Sequence, residues 1–336
     1  MQPHGPIDVS ILIVSYNTRE MTLAALESVY AETRKAPFEV IVVDNASSDG
    51  SAAAIAAHPG KPKLIALDHN IGFGRGNNLA AEQATGEYLL LLNPDTVVKD
   101  RAIDRLVSFA HHNPHAQIWG GRTLFANGRL NPSSCWRRMT LWNLLCRATG
   151  LTTIARRSAI FNSESYGGWQ RDTVREVDIV SGCFFLITRS LWQRLGGFDP
   201  LFFMYGEEAD LCLRAKRLGA RPVVAPQATI VHYGGASETK RASKMVKLLA
   251  AKASIVQRHF HRHARHLGLT LLAAWPLSRV IALKIAALVT RNERVSRSAA
   301  EWAEIWRRRG EWREGWKSES DGGVGSSGYS AEPSGT

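Results

Sequence analysis

The first hundred residues alternate short, unbroken apolar runs with longer amphipathic stretches, and few architectures accept that rhythm. Val9 to Ser15, Phe38 to Val43, Lys63 to Leu67 and Tyr88 to Leu92 read as strands. Arg19 to Thr33 and Gly76 to Thr85 read as helices, and the Ser47-Ser48-Asp49-Gly50-Ser51 cluster is suited to capping another. A strand that is apolar at every position, not at alternate ones, is buried on both faces. Helices between such strands predict an α/β fold with a mainly parallel sheet covered on each side. In that arrangement ligands bind beyond the carboxyl ends of the strands. Polar residues gather at those ends: Ser15-Tyr16-Asn17, Asp44-Asn45 and Asn93-Pro94-Asp95.

A second block follows. Val177 to Thr188 reads as one apolar strand carrying Ser181-Gly182, Arg189 to Leu195 as a short helix, and Gly196 to Pro200 as a turn. Gly206 to Leu218 reads as a helix opened by acids, and Thr229 to His232 as a last short strand. The pattern divides the chain into 1–239, a basic helical region at 240–317, and a Gly/Ser-rich tail at 318–336 that reads as disordered. Cys135, Cys146, Cys183 and Cys212 form no C-x-x-C pair and read as buried, reduced thiols. Met1 to Asp8 lacks the basic patch and apolar run of a secretory leader, so a cytoplasmic protein is expected.

The formal net charge is +12, and its position matters more than its size. Residues 240–317 hold 18 Lys+Arg against 5 Asp+Glu, whereas 1–239 hold 24 against 22. A globally basic nucleic-acid coat is excluded, and a localised anionic partner becomes the question.

Glu207-Glu208-Ala209-Asp210 is the sharpest local signal. Acids in a first helical turn favour the helix dipole; equally, one aimed into a cleft is a general base. Residues 207 and 210 share a helical face while 208 points about 100° away, so one or two of them at most face one substrate. Asn93-Pro94-Asp95 is either a turn or a carboxylate site for a divalent cation holding a diphosphate. His232 closes a strand and is either structural or a nitrogen ligand of the kind Mn²⁺ accepts. The stretch Ile71 to Asn78 carries Gly72, Gly74 and Gly76 around Arg75, but lacks both the dinucleotide fingerprint and the Lys-Ser/Thr ending of a P-loop.

In order along the chain, these pieces resemble the inverting family 2 glycosyltransferases of GT-A fold, in their rhamnosyltransferase-like branch. The matching text is SILIVSYN at 10–17, VVDNASSDG at 42–50, NIGFGRGNN at 70–78, LLNPD at 91–95, VSGC at 180–183, GGFD at 196–199 and FMYGEEADL at 203–211. The resemblance covers roughly residues 8–235 and implies roles for particular positions. Tyr16, Asn17, Asp44 and Asn45 fall where the family holds the base and ribose, with Arg75 nearby. Asn93-Pro94-Asp95 stands in the place of the family's D-x-D motif, leaving Asp95 as the main ligand of Mg²⁺ or Mn²⁺ and His232 as the second. Glu208, with Glu207 as its rival, falls on the general base. The donor implied is dTDP-rhamnose or a UDP-sugar, and the acceptor a glycan, polyprenyl-linked, in cell-surface polysaccharide synthesis. Other hexosyl or galactofuranosyl transfer on the same fold, and nucleotidyl transfer to a sugar phosphate, remain alternatives.

Leu267 to Thr290 is mostly apolar, but Pro276, Arg279 and Lys284 weigh against a membrane span, since each mid-span charge costs about 2.5–3.5 kcal/mol. Trp302, Trp306, Trp312 and Trp316 alternate with arginines and Lys317. That pattern suits an interfacial helix on the anionic inner face of the cell membrane, or tryptophans packing back on the catalytic unit. No nucleic-acid motif accompanies it.

Overall fold

A computed structural model of the chain describes residues 7–234 and 241–317. The expected disordered tail, 318–336, lies outside the described residues. In chain order the strands are β1 Val9–Ser15, β2 Phe38–Asp44, β3 Lys63–Ala66, β4 Tyr88–Leu92, β5 Thr96–Val98, β6 Ile118–Leu124, β7 Cys135–Trp136, β8 Arg175–Glu176, β9 Ile179–Val180, β10 Phe184–Thr188 and β11 Val223–His232. The α-helices are α1 Arg19–Glu32, α2 Ser51–Ala56, α3 Phe73–Glu82, α4 Ala102–His112, α5 Leu141–Thr149, α6 Leu151–Ile154, α7 Arg189–Leu195 and α8 Glu207–Arg217. Three more, α9 Arg241–His259, α10 Arg262–Thr290 and α11 Glu293–Arg307, form the C-terminal region.

The main sheet runs β3-β2-β1-β4-β10-β6-β11-β5, with β8 paired to β11. The first four strands are mutually parallel, β10 runs against both its neighbours, and β6 and β11 are parallel. The continuous apolar runs divide by alternation between two cores. Val9, Ile11 and Ile13 of β1 enter one with Val40 and Val42 of β2 and Leu90 of β4. Leu12, Val14, Ile41, Val43, Leu89 and Leu91 enter the other. Side chains on a strand alternate faces, so every position must be apolar when both faces are covered.

The expected single strand over 177–188 is two: Ser181 to Cys183 turn between β9, which joins β7 in a small separate sheet, and β10. All four cysteines are buried and unpaired.

The C-terminal helices are folded onto this unit through a third core, where Leu144 of α5 meets Leu249, Val256, Leu272, Trp275 and Trp302. The reading of four tryptophans turned toward a membrane is corrected here. Trp302 and Trp312 are 7% and 1% exposed, and Trp306 and Trp316 pack against the same core. Each buried aromatic of this size contributes several kcal/mol, and a basic helical segment has few other groups with which to build a core.

Buried ion pairs fix the register of α9. Asp210, fully buried, accepts from Arg214 Nε at 2.6 Å, His259 Nε2 at 2.8 Å and Arg258 Nε at 3.2 Å. Glu164, 6% exposed, receives Arg147 at 2.7 Å and Lys252. Burial raises the Glu164 carboxyl, but the Arg147 and Lys252 charges outweigh it and hold it at about 2. Burial meanwhile pushes the Lys252 ammonium down despite its partner, so the trio locks one arrangement without a large net gain.

Glu164→Gln is therefore expected to leave two buried cations short of a partner and cost about 3 kcal/mol or more in urea unfolding. A carboxylate depressed from its unfolded value near 4.3 stabilises above that pH and loses its contribution as pH falls toward 2. The wild-type chain should lose that contribution between about pH 4 and 2, and the variant should lack this component of its acid unfolding.

Candidate active site

The carboxyl ends of β1, β2 and β4 converge because the strands are parallel and in register: Ser15 stands beside Asp44, and Leu12 beside Leu91. Past these ends burial on both faces stops and polar residues emerge.

Asp44 is 2% exposed; its Oδ2 accepts the Ser47 N–H at 3.0 Å, while Oδ1 is buried with no partner. Asn17 adopts a left-handed conformation with φ 51° and accepts the Ser48 N–H at 2.8 Å. Tyr16 is half-buried next to it. The Asn45 side chain reaches into the neighbouring loop. Its Oδ1 accepts from Ile71 N at 2.9 Å, and its Nδ2 donates to Asn70 Oδ1 at 2.8 Å and Gly72 O at 3.3 Å. Both ends of this amide are thus engaged in holding the loop that leads into α3, on whose first turn the half-buried Arg75 sits.

That loop also meets the acidic helix. Phe73 N donates to Phe203 O at 3.2 Å. Gly72 has φ 86°, and a Cβ there would lie 2.5 Å from the same carbonyl, so only glycine fits. On its other side, the Phe73 ring is 3.5 Å from the point where a Cβ on Gly182 would stand. The loop at 70–73 therefore joins the nucleotide-side strand ends to both the 181–183 turn and the start of α8.

Asp95 and His232 are brought together by strand pairing. β5 and β11 are antiparallel with Thr96 opposite His232, and Tyr233 N donates to Asp95 O at 3.0 Å. His232 Nε2 consequently stands 3.2 Å from Asp95 Oδ1. The β4–β10 register sets Asn93 against Cys183, with Asn93 N donating to Cys183 O at 3.1 Å. Burial disfavours the His232 imidazolium, but Cys183 and Asp95 beside it push its pKa up to about 10. Burial likewise opposes the Asp95 anion, yet the His232 hydrogen bond and charge hold that carboxyl below its ordinary range. His232 Nδ1 and Asn93 Oδ1 are buried without partners. Among the described residues no group of three or more His, Cys, Asp or Glu side chains converges as a complete metal cage. A paired carboxylate and imidazole with spare buried donor atoms fits an ion that takes its remaining ligands from substrate and water.

The three acids of α8 separate as helical geometry requires. Asp210 is absorbed by the α9 ion pairs. Glu207 is 3% exposed with Oε2 unpartnered, and burial, then the neighbouring Glu208 charge, lift its carboxyl well above the usual range. Glu208 is half-buried and is raised by burial. The two carboxyls titrate as a coupled pair in which burial raises both, Glu207 the further. Cys183 and Asn70 stand in the sequence only as parts of longer motifs; the fold sets Cys183 against Asn93, Asn70 against the Asn45 amide, and Thr96 opposite His232.

The model of the family described as Glycosyl transferase family 2 matches residues 10–194. The O-antigen biosynthesis protein RfbC of Myxococcus xanthus is 30% identical over 242 residues, which cover 69% of this chain but 18% of that longer protein. The N-acetylglucosaminyl-diphospho-decaprenol L-rhamnosyltransferase of Mycobacterium tuberculosis is 26% identical over 66% of this chain and 75% of its own length. The rhamnosyltransferase WbbL of Escherichia coli is 26% identical over 76% of this chain and 97% of its own. Among solved structures, the mannosyltransferase PcManGT from Pyrobaculum calidifontis, in complex with GDP-Man and Mn²⁺, superposes with a TM-score of 0.58 at 17% identity, covering 93% of this chain and 89% of that one. At that identity the likeness speaks for the fold, which is GT-A. With a family match over more than half the chain and the motif residues gathered at one sheet edge, this protein belongs to glycosyl transferase family 2.

Proposed function

We propose that this glycosyltransferase moves a sugar, rhamnose in preference to others, from a nucleoside-diphosphate donor to a hydroxyl of a glycan acceptor with inversion at the anomeric carbon. The donor is dTDP-rhamnose or a UDP-sugar, and the acceptor a polyprenyl-linked glycan of a cell-surface polysaccharide. The enzyme works from the cytoplasmic side, attached peripherally to the inner face of the membrane. The observation that carries the reading is the Asp95–His232 pair, joined through the 181–183 turn and the Phe73 loop to a raised-pKa acidic pair at the start of α8. The rhamnosyltransferases among its relatives support the choice of sugar.

The unpartnered Asp44 Oδ1 accepts a base or ribose donor, with Tyr16 and Asn17 alongside and Asn45 fixing the loop that bears Arg75. Asp95 and His232 hold Mg²⁺ or Mn²⁺, which when bound neutralises charge on the leaving diphosphate. Glu208, ionised, accepts the acceptor hydroxyl proton as its oxygen bonds to the anomeric carbon. The bond from that carbon to the diphosphate breaks on the opposite face, and its electron pair leaves with the nucleoside diphosphate.

Incubation with candidate nucleotide sugars, a divalent cation and a polyprenyl-linked acceptor should release a nucleoside diphosphate; pyrophosphate as the product would indicate nucleotidyl transfer instead. Glu208→Gln should lower kcat about 10²- to 10⁴-fold with a nearly unchanged KM for the donor. Wild-type activity of that variant would reject the base assignment. Because burial raises the Glu208 carboxyl, the active ionised form should disappear at a higher pH than for an ordinary glutamate. The acid limb of kcat/KM should accordingly sit above about pH 4.3. In thermal unfolding, Asp95→Asn should abolish the extra stabilisation that Mn²⁺ adds to a nucleoside diphosphate, about 2.7 kcal/mol at a hundredfold excess over Kd in the wild type.

A further inference from the structure

Helix α10 carries an apolar face that no part of the described chain covers. Leu272, Trp275 and Val280 turn inward to the third core, whereas Ile281, Ile285, Leu288 and Val289 are 52%, 58%, 80% and 79% exposed. Their spacing of four, three and one residues places them on one side of the helix, opposite the buried face. The helix is long and apolar enough to cross a bilayer. It cannot do so here, because it packs along α11, which carries Glu293, Arg294, Arg297, Glu301, Glu304 and Arg307. Those charges would enter the hydrocarbon with it.

The charge around this face has one sign. No Asp or Glu occurs from 105 to 163 or from 239 to 292, the stretches that contain α5, α6 and α10. Lys284 on the last two turns and Arg291 at the C-cap of α10 are exposed. A second copy of the chain related by two-fold symmetry would bring cations against cations. An anionic lipid surface meets both requirements, apolar acyl chains for the isoleucines and leucine and phosphate headgroups for the bases.

We propose that the C-terminal two turns of α10 form the surface by which the protein lies on an anionic bilayer. This rests on the peripheral-attachment reading above and replaces the tryptophans with a different contact. The same surface lies close to the site in the chain: β7, paired with the β9 strand that runs into the 181–183 turn, leads within five residues into α5, against which α10 packs.

Flotation of the full chain with vesicles of phosphatidylcholine alone, or with about 30% phosphatidylglycerol, tests this. Binding should be at least about tenfold stronger to the anionic vesicles and should weaken with added salt. The double variant Ile285→Asn, Leu288→Asn should bind at least about tenfold less while keeping its circular dichroism, its Tm and its sugar transfer to a water-soluble acceptor. Lys284→Gln with Arg291→Gln should flatten the salt dependence. Absence of wild-type binding, wild-type binding by the double variant, or a solution dimer that the double variant dissociates would each overturn the proposal. Sugar transfer persisting in those cases would leave the enzymatic reading standing, whereas absence of transfer with intact vesicle binding would reject that reading alone.

Discussion

The central strands are covered on both faces, and that constraint governs where chemistry can occur in this protein. Val9, Ile11 to Val14, Val40 to Val43 and Leu89 to Leu92 feed two cores by alternation, and the buried Ser10 among them is engaged with Glu39 and the Gly86 N–H. Polar groups appear where the coverage ends, and parallel register makes those ends coincide. Asp44 reaches the edge because Ser15 stands beside it, and Asp95 because β4 stops at Leu92. The site is a consequence of the sheet's burial before it is a consequence of any motif.

The second half of the chain completes that edge from the opposite direction. An antiparallel β10 returns Cys183 to Asn93, and β11 returns His232 to Asp95. The resulting cluster has a polarised pair at Asp95–His232 and a pair of carboxyls at Glu207 and Glu208 whose burial raises both. Burial acts on the two adjacent glutamates unequally, lifting Glu207 further than Glu208. Asp210, three residues on, is removed from the chemistry altogether, since it anchors α9.

Much of this was legible in the sequence, unevenly. β1, β4 and α7 have the boundaries their residue patterns predict, the two strands because a short, nearly unbroken apolar run between polar turns fits little besides a strand buried on both faces. Residues 96–176 yielded little. β6 reads IWGGRTL, and its paired glycines erase the apolar signal. Yet a Cβ at Gly121 would lie 2.1 Å from Ala228 O, so close strand packing demands the very residue that hides the strand. Asp95, His232 and the acids at 207–208 are visible as residue types at strand and helix ends, and the pairing of Asp95 with His232 follows from the family resemblance alone, because sequence spacing over more than a hundred residues does not convey register. The Asn45 amide also holds a loop, and of the two readings open for the four tryptophans, membrane contact or packing back on the catalytic unit, the third core favours the second.

The claim that unites these observations is a single displacement at the anomeric carbon, with Glu208 as base and no covalent intermediate on the protein. The most direct test is proton NMR of the first-formed product made from an α- or β-configured donor of known anomeric geometry. The account predicts a product of opposite configuration from the earliest time points. A product that keeps the donor's configuration would require a second displacement or a front-face path and would contradict it.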